Sequence, residues 1–595
     1  MGGNLFFAGT GAVLETFGVE IDDALLSGWH ARVERARRHL GWDRTSPGSP
    51  LAPAIVARRH ATGASLALQA PIDQLFTATE LNEWALCATV FERDPVRWAN
   101  VTADLLADYL EDANDPADVI PPVLEEHAAL SRLAARAASE RRPDVVSLID
   151  AASARRVSHL LDEATLTLGT GTGCRSWALD ALPATDTVPW ASLHGIPTAA
   201  ITGSNGKTTT VRLVAACARA NGWCDGFNCT DGVFIDRKAV ASGDYSGPAG
   251  TRLVLRNTSV EAAVLETARG GILRRGLAAD HADVAIVTNI SPDHFGEYGI
   301  DDLDGLADVK LSIAHLLDRE GLLVLNADDA LLRAKSGMLR QRLGWQPTLG
   351  WFARSYDHPA LAQHRALPGA TSGVRAGHLW LSSGKHELDL GAVNDMPLTV
   401  DGTATYNVEN LAGAALVATK LGVPPAIIAQ VFATFGRDLG DNAGRLMRFD
   451  IGGVKIIVDY AHNPDGLRGV MRVAQRLQAP DGRIGMLLGH AGNRLDADIE
   501  ELALVATEFD PDLIVVKEDE GHLRGRQPGE VPAIIQNALL HAGMPLAAVP
   551  ICPSEVDAAL MALEWARPGD ALVLLIHSSP ARVRMLEILQ ARRDA

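Results

Sequence analysis

Thr198-Ala199-Ala200-Ile201-Thr202-Gly203-Ser204-Asn205-Gly206-Lys207-Thr208-Thr209-Thr210 runs from a small apolar strand through a glycine turn into a lysine and three threonines. Glycines at 203 and 206 let the backbone fold its N–H groups around phosphate oxygens, Lys207 supplies a point charge, and Thr208 offers a hydroxyl to a Mg²⁺ carried on a nucleotide. Ile201 stands where the longer G-x-x-x-x-G-K-[ST] loop has its first glycine, so the spacing is the short form G-x-x-G-K-T-T-T. A turn that merely joined a strand to a helix would have no use for this lysine and its threonines.

Further along, short apolar runs of strand length recur at Ala262–Leu265, Val284–Thr288 and Leu322–Leu325, separated by helical or glycine-bounded stretches. Such alternation predicts a mostly parallel sheet covered on both faces, with ligands at the carboxyl ends of its strands. Polar residues stand at those ends: the phosphate loop, Glu266, and the segment Asn289 to His294. Beyond the polar, glycine-rich stretch 435–444, which reads as a hinge, a second α/β unit follows. Its predicted strands are Val454–Asp459, Arg483–Leu488, Leu513–Lys517 and Ala571–Ile576, with helices over Pro464–Leu477 and Glu530–His541.

The first part of the chain differs. Helical spacing is found over 24–40 and 82–110, and several tryptophans, among them Trp29, Trp42, Trp84 and Trp98, read as core. Thr79 and Asn82 read as helix N-caps. The run 168–174, Leu-Gly-Thr-Gly-Thr-Gly-Cys, has no following lysine and reads as a flexible connection. The expected organisation is thus a helix-rich α+β N-terminal domain of unassigned role over 1–194, a central nucleotide-binding domain over 195–441 and a C-terminal α/β domain over 442–595.

Composition narrows the class. With 54 Lys and Arg against 73 Asp and Glu, the net charge of −19 argues against nucleic acid as a partner. The six cysteines show no C-x-x-C pairing, which argues against a disulfide framework or zinc site and fits a reducing compartment. Neither a signal peptide nor a run of about 18 apolar residues is found, so a cytoplasmic protein without membrane partners is expected. Oligomeric state is open, a homo-oligomer included.

Five segments together carry a resemblance: 203–209 (GSNGKTT), 266–274 (ETARGGILR), 289–294 (NISPDH), 325–329 (LNADD) and 459–464 (DYAHNP). They resemble the Mur ligase superfamily. Glu266 to Arg275, together with Lys517-Glu518-Asp519 and Leu523-Arg524-Gly525-Arg526, is most similar to the Mur-ligase half of cyanophycin synthetase, a family that builds an aspartate backbone decorated with arginine. The region before the phosphate loop is shorter than that family's N-terminal domain plus ATP-grasp module.

The resemblance implies an ATP- and Mg²⁺-dependent ligase that joins a carboxylate to an amine through an acyl-phosphate. Gly203, Asn205, Gly206, Lys207, Thr208 and Thr209 would hold the nucleotide phosphates, with Thr208 and Glu266 on the first Mg²⁺ and His294 near a second metal. Lys310 stands at the offset of a lysine that many such ligases carbamylate; a surface lysine is the alternative. Asn407 and Asn410 resemble the G-x-H-N-x-x-N element beside adenine, with Tyr406 in place of its histidine; helix capping is the alternative. Arg445 resembles the hinge arginine, and Asp459 and His462 would approach ribose and phosphates on closure. Arg269, Arg494, Glu518, Arg524 and Arg526 are candidates for reading substrate, either an amino acid or an acidic, peptide-like or cyanophycin-related acceptor. Peptidoglycan or folylpolyglutamate ligation, and a non-catalytic ATP-binding pseudo-ligase, are the alternatives.

Overall fold

The computed structural model describes residues 2–18, 21–42, 54–95, 125–292, 295–384, 386–518 and 521–594. His294, Trp98 and the far part of the expected 82–110 helix lie outside them.

The central domain is built on an eleven-stranded sheet. From Asp225–Cys229 the strand order runs through Ala262–Glu266, Thr198–Thr202, Val284–Val287, Leu322–Asn326 and Thr348–Ser355 to Ala370–Arg375, all parallel. Antiparallel strands extend both ends: Gly232–Ile235 and Lys238–Ser242 on one side, His378–Ser383 and His386–Ala392 on the other. Thr198–Thr202 is buried along its whole length in the middle of the sheet, which explains why it is written in small and β-branched residues. The helices Lys207–Ala220 and Thr405–Leu421 cover one face, packing Val211, Val214, Leu411 and Ala415 against Ile201, Val264 and Ile286. A second apolar cluster around Ile272, Val309, Leu325 and Trp351 covers the other.

The C-terminal domain has a six-stranded sheet in the order Met447–Ile451, Val454–Asp459, Ala571–Leu575, Ile484–Leu488, Leu513–Lys517 and Ile551–Cys552, parallel after the first hairpin. The expected helices are found at Pro464–Leu477 and Glu530–His541.

Ahead of the phosphate loop the chain is α+β. An antiparallel sheet of Gly11–Phe17, Gly63–Gln69 and Ile55–His60 packs on the helices Asp23–Leu40, Leu75–Arg93 and Glu126–Glu140 around Trp29, Leu66, Leu81 and Trp84. Two expectations are corrected here. Thr79 and Asn82 do not cap a helix, because the helix begins at Leu75; Glu140 accepts from the amides of Phe76 and Thr77 at its start. Asn82 instead sits in the core, donating to the Leu66 carbonyl and accepting from the Trp29 indole. Nor is 168–174 a loose connection. After the strand Thr165–Leu168 it folds into a buried 3₁₀ turn, tied down by Thr170 N–H to the His194 carbonyl and Thr172 N–H to the Val260 carbonyl. Among the described residues, no helix is long and apolar enough to cross a membrane.

Candidate active site

The site grows from three strand ends. At the first, the loop after Thr202 turns through Gly203 (φ 147°) and Gly206 (φ 83°) into the helix Lys207–Ala220. Side chains are excluded at both glycines: a Cβ would lie 1.8 Å from Thr288 Oγ1 at Gly203 and 2.2 Å from Asn410 Oδ1 at Gly206. The first-turn amides of Lys207, Thr208 and Thr209 have no intrahelical acceptors, and their helix presents its positive dipole end to the cavity. Asn205 is fixed by its amide to Asn289 Oδ1 (2.9 Å), and its carbonyl accepts from Thr288 Oγ1 (2.6 Å). The loop therefore fits a nucleotide phosphate chain.

At the second strand end, Glu266 is wholly buried. Its carboxylate accepts from Thr208 Oγ1 at 2.8 Å and from Thr230 Oγ1 at 3.1 Å. Burial pushes the Glu266 carboxyl up, against the Lys207 charge and the Thr208 hydrogen bond. A buried hydroxyl–carboxylate pair beside a phosphate cradle suits Mg²⁺, a hard cation that takes oxygen ligands, so Thr208 and Glu266 would hold one on the nucleotide.

After the third strand, Val284–Val287, the chain reaches the helix that brings a second lysine to the loop. Lys207 Nζ donates to the carbonyls of Gly203 (3.0 Å) and Ser204 (2.9 Å), and Lys310 Nζ reaches the same Gly203 carbonyl at 2.8 Å. Lys310 is 2% exposed, which replaces the surface-lysine alternative. It comes from the helix Leu303–Leu311, so two cations from separate elements converge on one backbone oxygen.

The C-terminal domain closes over this loop. Asn463 Nδ2 donates to Asn205 Oδ1 at 2.9 Å, Asn442 Nδ2 donates to Thr209 Oγ1 at 3.3 Å, and Arg212 Nη1 donates to the Ala443 carbonyl at 2.7 Å. Asp231 accepts from Arg212 at 2.7 Å and pairs with Arg582 of the last helix. Arg445 lies with its guanidinium 4.2 Å over the Tyr460 ring. Asp459 is held by the amides of Leu446 (2.6 Å) and Ala461 (2.8 Å). Burial pushes its carboxyl up, opposed by Arg445 and these amides.

Two cavities meet here. One, of about 470 Å³, is lined by the phosphate loop, Asn407, Asn410, Arg445 and Asp459. The other, of about 550 Å³, is lined among others by Arg269, Lys310, Arg494, Arg524 and His577. Lys207, Thr230, Glu266, Tyr460 and His462 belong to both. Asn407 and Asn410 lie inside the helix Thr405–Leu421, buried and hydrogen-bonded to each other at 3.0 Å, so they do not cap it.

Residues 201–344 match the Mur ligase middle domain, and residues 444–575 match the Mur ligase glutamate ligase domain. Both domains belong to the Mur ligase family. The cyanophycin synthetase of Synechocystis sp. is 35% identical over 398 residues, 67% of this chain and 44% of its own length. That of Geminocystis herdmanii is 33% identical over 392 residues, 66% of this chain and 44% of its own. The UDP-N-acetylmuramoyl-L-alanyl-D-glutamate--2,6-diaminopimelate ligase of Chlorobaculum tepidum is 25% identical over 324 residues, 54% of this chain and 60% of its own. The chain spans less than half the length of the cyanophycin synthetases it matches.

Within the Mur ligase C-terminal domain the charged candidates divide. Arg494 and Arg524 open on the second cavity, and Arg269 faces them from the middle domain. Arg526 does not reach it. Its guanidinium donates to the carbonyls of Gly492 (2.9 Å) and Arg494 (2.8 Å) and pairs with Asp496 and Glu530, so it braces the loop that carries Arg494. Glu518 is likewise occupied, accepting from the Gly529 amide at 2.6 Å ahead of the helix Glu530–His541. Lys517 is fully buried against Glu555 and His577. Thr230, Asp231, Glu297 and His577 carry no sequence signal of their own: they lie outside the quoted segments, and only folding sets them beside the site. Asn463 and Tyr460 stood inside the 459–464 segment without a role.

Proposed function

We propose that this protein is an ATP-dependent carboxylate–amine ligase that adds an amino acid to an acidic, peptide-like acceptor of cyanophycin-related chemistry. The single observation that carries the reading is the meeting of the two cavities at Lys207, Glu266 and His462, one cavity lined by a phosphate loop and the other by arginines.

The chemistry follows from charge. A carboxylate has no good leaving group, so its oxygen first attacks the γ-phosphorus of ATP and releases ADP; the amine nitrogen then attacks the acyl carbon, loses a proton and expels phosphate. The first step brings two anions together. At about 4 Å and an effective dielectric of about 20, their repulsion is on the order of 4 kcal/mol per pair of unit charges. Lys207 and Lys310 above Gly203, and Arg269, Arg494 and Arg524 around the second cavity, offset it. Bound Mg²⁺ would supply a further positive charge to the transferred phosphoryl group. Closure of the C-terminal domain excludes water that would hydrolyse the acyl-phosphate.

Phosphate release from Mg·ATP, measured across a panel of amino acids and short Asp-rich peptides, tests this. Release should require one member of each class and fall by about 10² or more in Lys207→Ala. Release that no pair stimulates, or that Lys207→Ala leaves unchanged, would overturn it.

A further inference from the structure

Glu297 stands on a turn of the central domain in which Gly296 (φ 81°), Tyr298 (φ 53°) and Gly299 (φ 63°) all take the left-handed region. A tyrosine persists in that conformation only where its surroundings over-determine the backbone. The Glu297 carboxylate is shared between two domains: it pairs with Arg269 of the middle domain and accepts from the side-chain Nδ2 of Asn493 in the C-terminal domain. Arg269 is buried, and both it and Glu297 open on the second cavity. A pair on open surface would carry little weight, but this one ties a cavity wall to the loop that closes over it.

The turn is gripped from its other side by the N-terminal domain. Arg58 Nη1 donates to the Gly299 carbonyl at 3.0 Å, and the Ala61 N–H donates to the Asp301 carboxylate at 3.0 Å. His60 lies so close that a Cβ on Gly299 would come within 2.3 Å of its ring. A second grip holds the helix Arg269–Arg275, since the Gly2 N–H donates to the Arg275 carbonyl at 3.1 Å and the Leu277 N–H to the Gly3 carbonyl at 2.7 Å. Both partners of the Arg269–Glu297 pair are therefore positioned by the same N-terminal domain, for which the sequence offered no chemistry.

We propose that Glu297 is the closure latch of the second cavity and that the N-terminal domain positions it. Glu297 is a positioning residue, acting through Arg269 and Asn493; its effect on turnover rests on the ligase reading, whereas the latch itself does not. Hydrogen exchange of the full chain without nucleotide separates the two. Glu297→Gln should speed amide exchange in 490–494 and 269–275 by about tenfold and leave Thr198–Thr202 at the wild-type rate. Arg58→Ala should speed exchange in 296–301, outside its own hairpin. In the enzyme assay, Glu297→Gln should raise the KM of the acidic peptide and leave the KM of ATP unchanged, a split that general destabilisation would not give. Wild-type exchange at 490–494 in Glu297→Gln, or loosening confined to residues 55–69 in Arg58→Ala, would overturn the proposal whether or not the protein ligates.

Discussion

Asn463 uses both ends of its amide on different domains: Oδ1 accepts from the Gly466 N–H at 2.9 Å, capping the helix Pro464–Leu477, while Nδ2 donates to Asn205 Oδ1 on the phosphate loop at 2.9 Å. One side chain thus starts a helix of the closing domain and docks it on the glycine loop of the central domain.

The two roles separate by mutation. Asn463→Asp keeps the capping oxygen and loses the donor to Asn205, so thermal stability should hold while the KM of ATP rises about three- to tenfold, the worth of one hydrogen bond. Asn463→Ala loses both, and a further loss of about 1 kcal/mol in stability should appear in urea unfolding of the C-terminal domain.

Gly206→Ala places a side chain at φ 83° against Asn410. The left-handed backbone alone costs about 1–2 kcal/mol. The melting temperature should fall, and Mg·ADP should raise the melting temperature of the wild type but not that of the variant.

Glu555 holds the buried Lys517 ammonium and also accepts from the amides of His577 (3.0 Å) and Ser578 (2.9 Å). Glu555→Gln leaves a charge without its counterion and should cost about 3–5 kcal/mol in urea unfolding at neutral pH. Burial raises the Glu555 carboxyl, but the charges of Lys517 and His577 and these hydrogen bonds outweigh it and hold it below its ordinary 4.5. The stability it contributes is therefore full above pH 4.5 and is lost as pH falls through the lower folded value. Wild type and variant should converge in acid.

Glu409 behaves in the opposite sense. Burial, against Arg354 (3.2 Å) and Asn326 (3.2 Å), holds its carboxyl up to about 7 beside the cavity that the glycine loop lines. Between 4.5 and 7 the folded protein keeps a proton that the unfolded chain has released, so stability declines as pH rises through that window. Glu409→Gln should flatten this decline in melts at pH 5 and pH 8.

Much of the α/β architecture of both later domains was legible because fully buried parallel strands are written in unbroken apolar runs, and in the C-terminal domain the predicted strand Val454–Asp459 and helix Pro464–Leu477 match those found. The flanking strands of the central sheet were not: His386–Ala392 is largely exposed and reads HELDLGA, with no apolar run to mark it. The phosphate loop, Glu266 and Arg445 were expected together from their sequence motifs, and the fold brings all three to the wall of one cavity. Arg526, Glu518 and Lys517 look the same in a sequence as substrate-reading charges, and only their partners show that Arg526 braces a loop. Glu297 was invisible for a related reason. Its meaning lies in Arg269, Asn493 and the Arg58 hairpin, which are scattered along the chain and meet only in the fold.

The central claim is that the acceptor carboxylate is phosphorylated before the amine attacks. Ligation with an acceptor whose carboxylate carries ¹⁸O measures this directly. One ¹⁸O per turnover should leave in the released phosphate, with ADP as the nucleotide product. Phosphate free of label, or AMP with pyrophosphate in place of ADP and phosphate, would contradict the account.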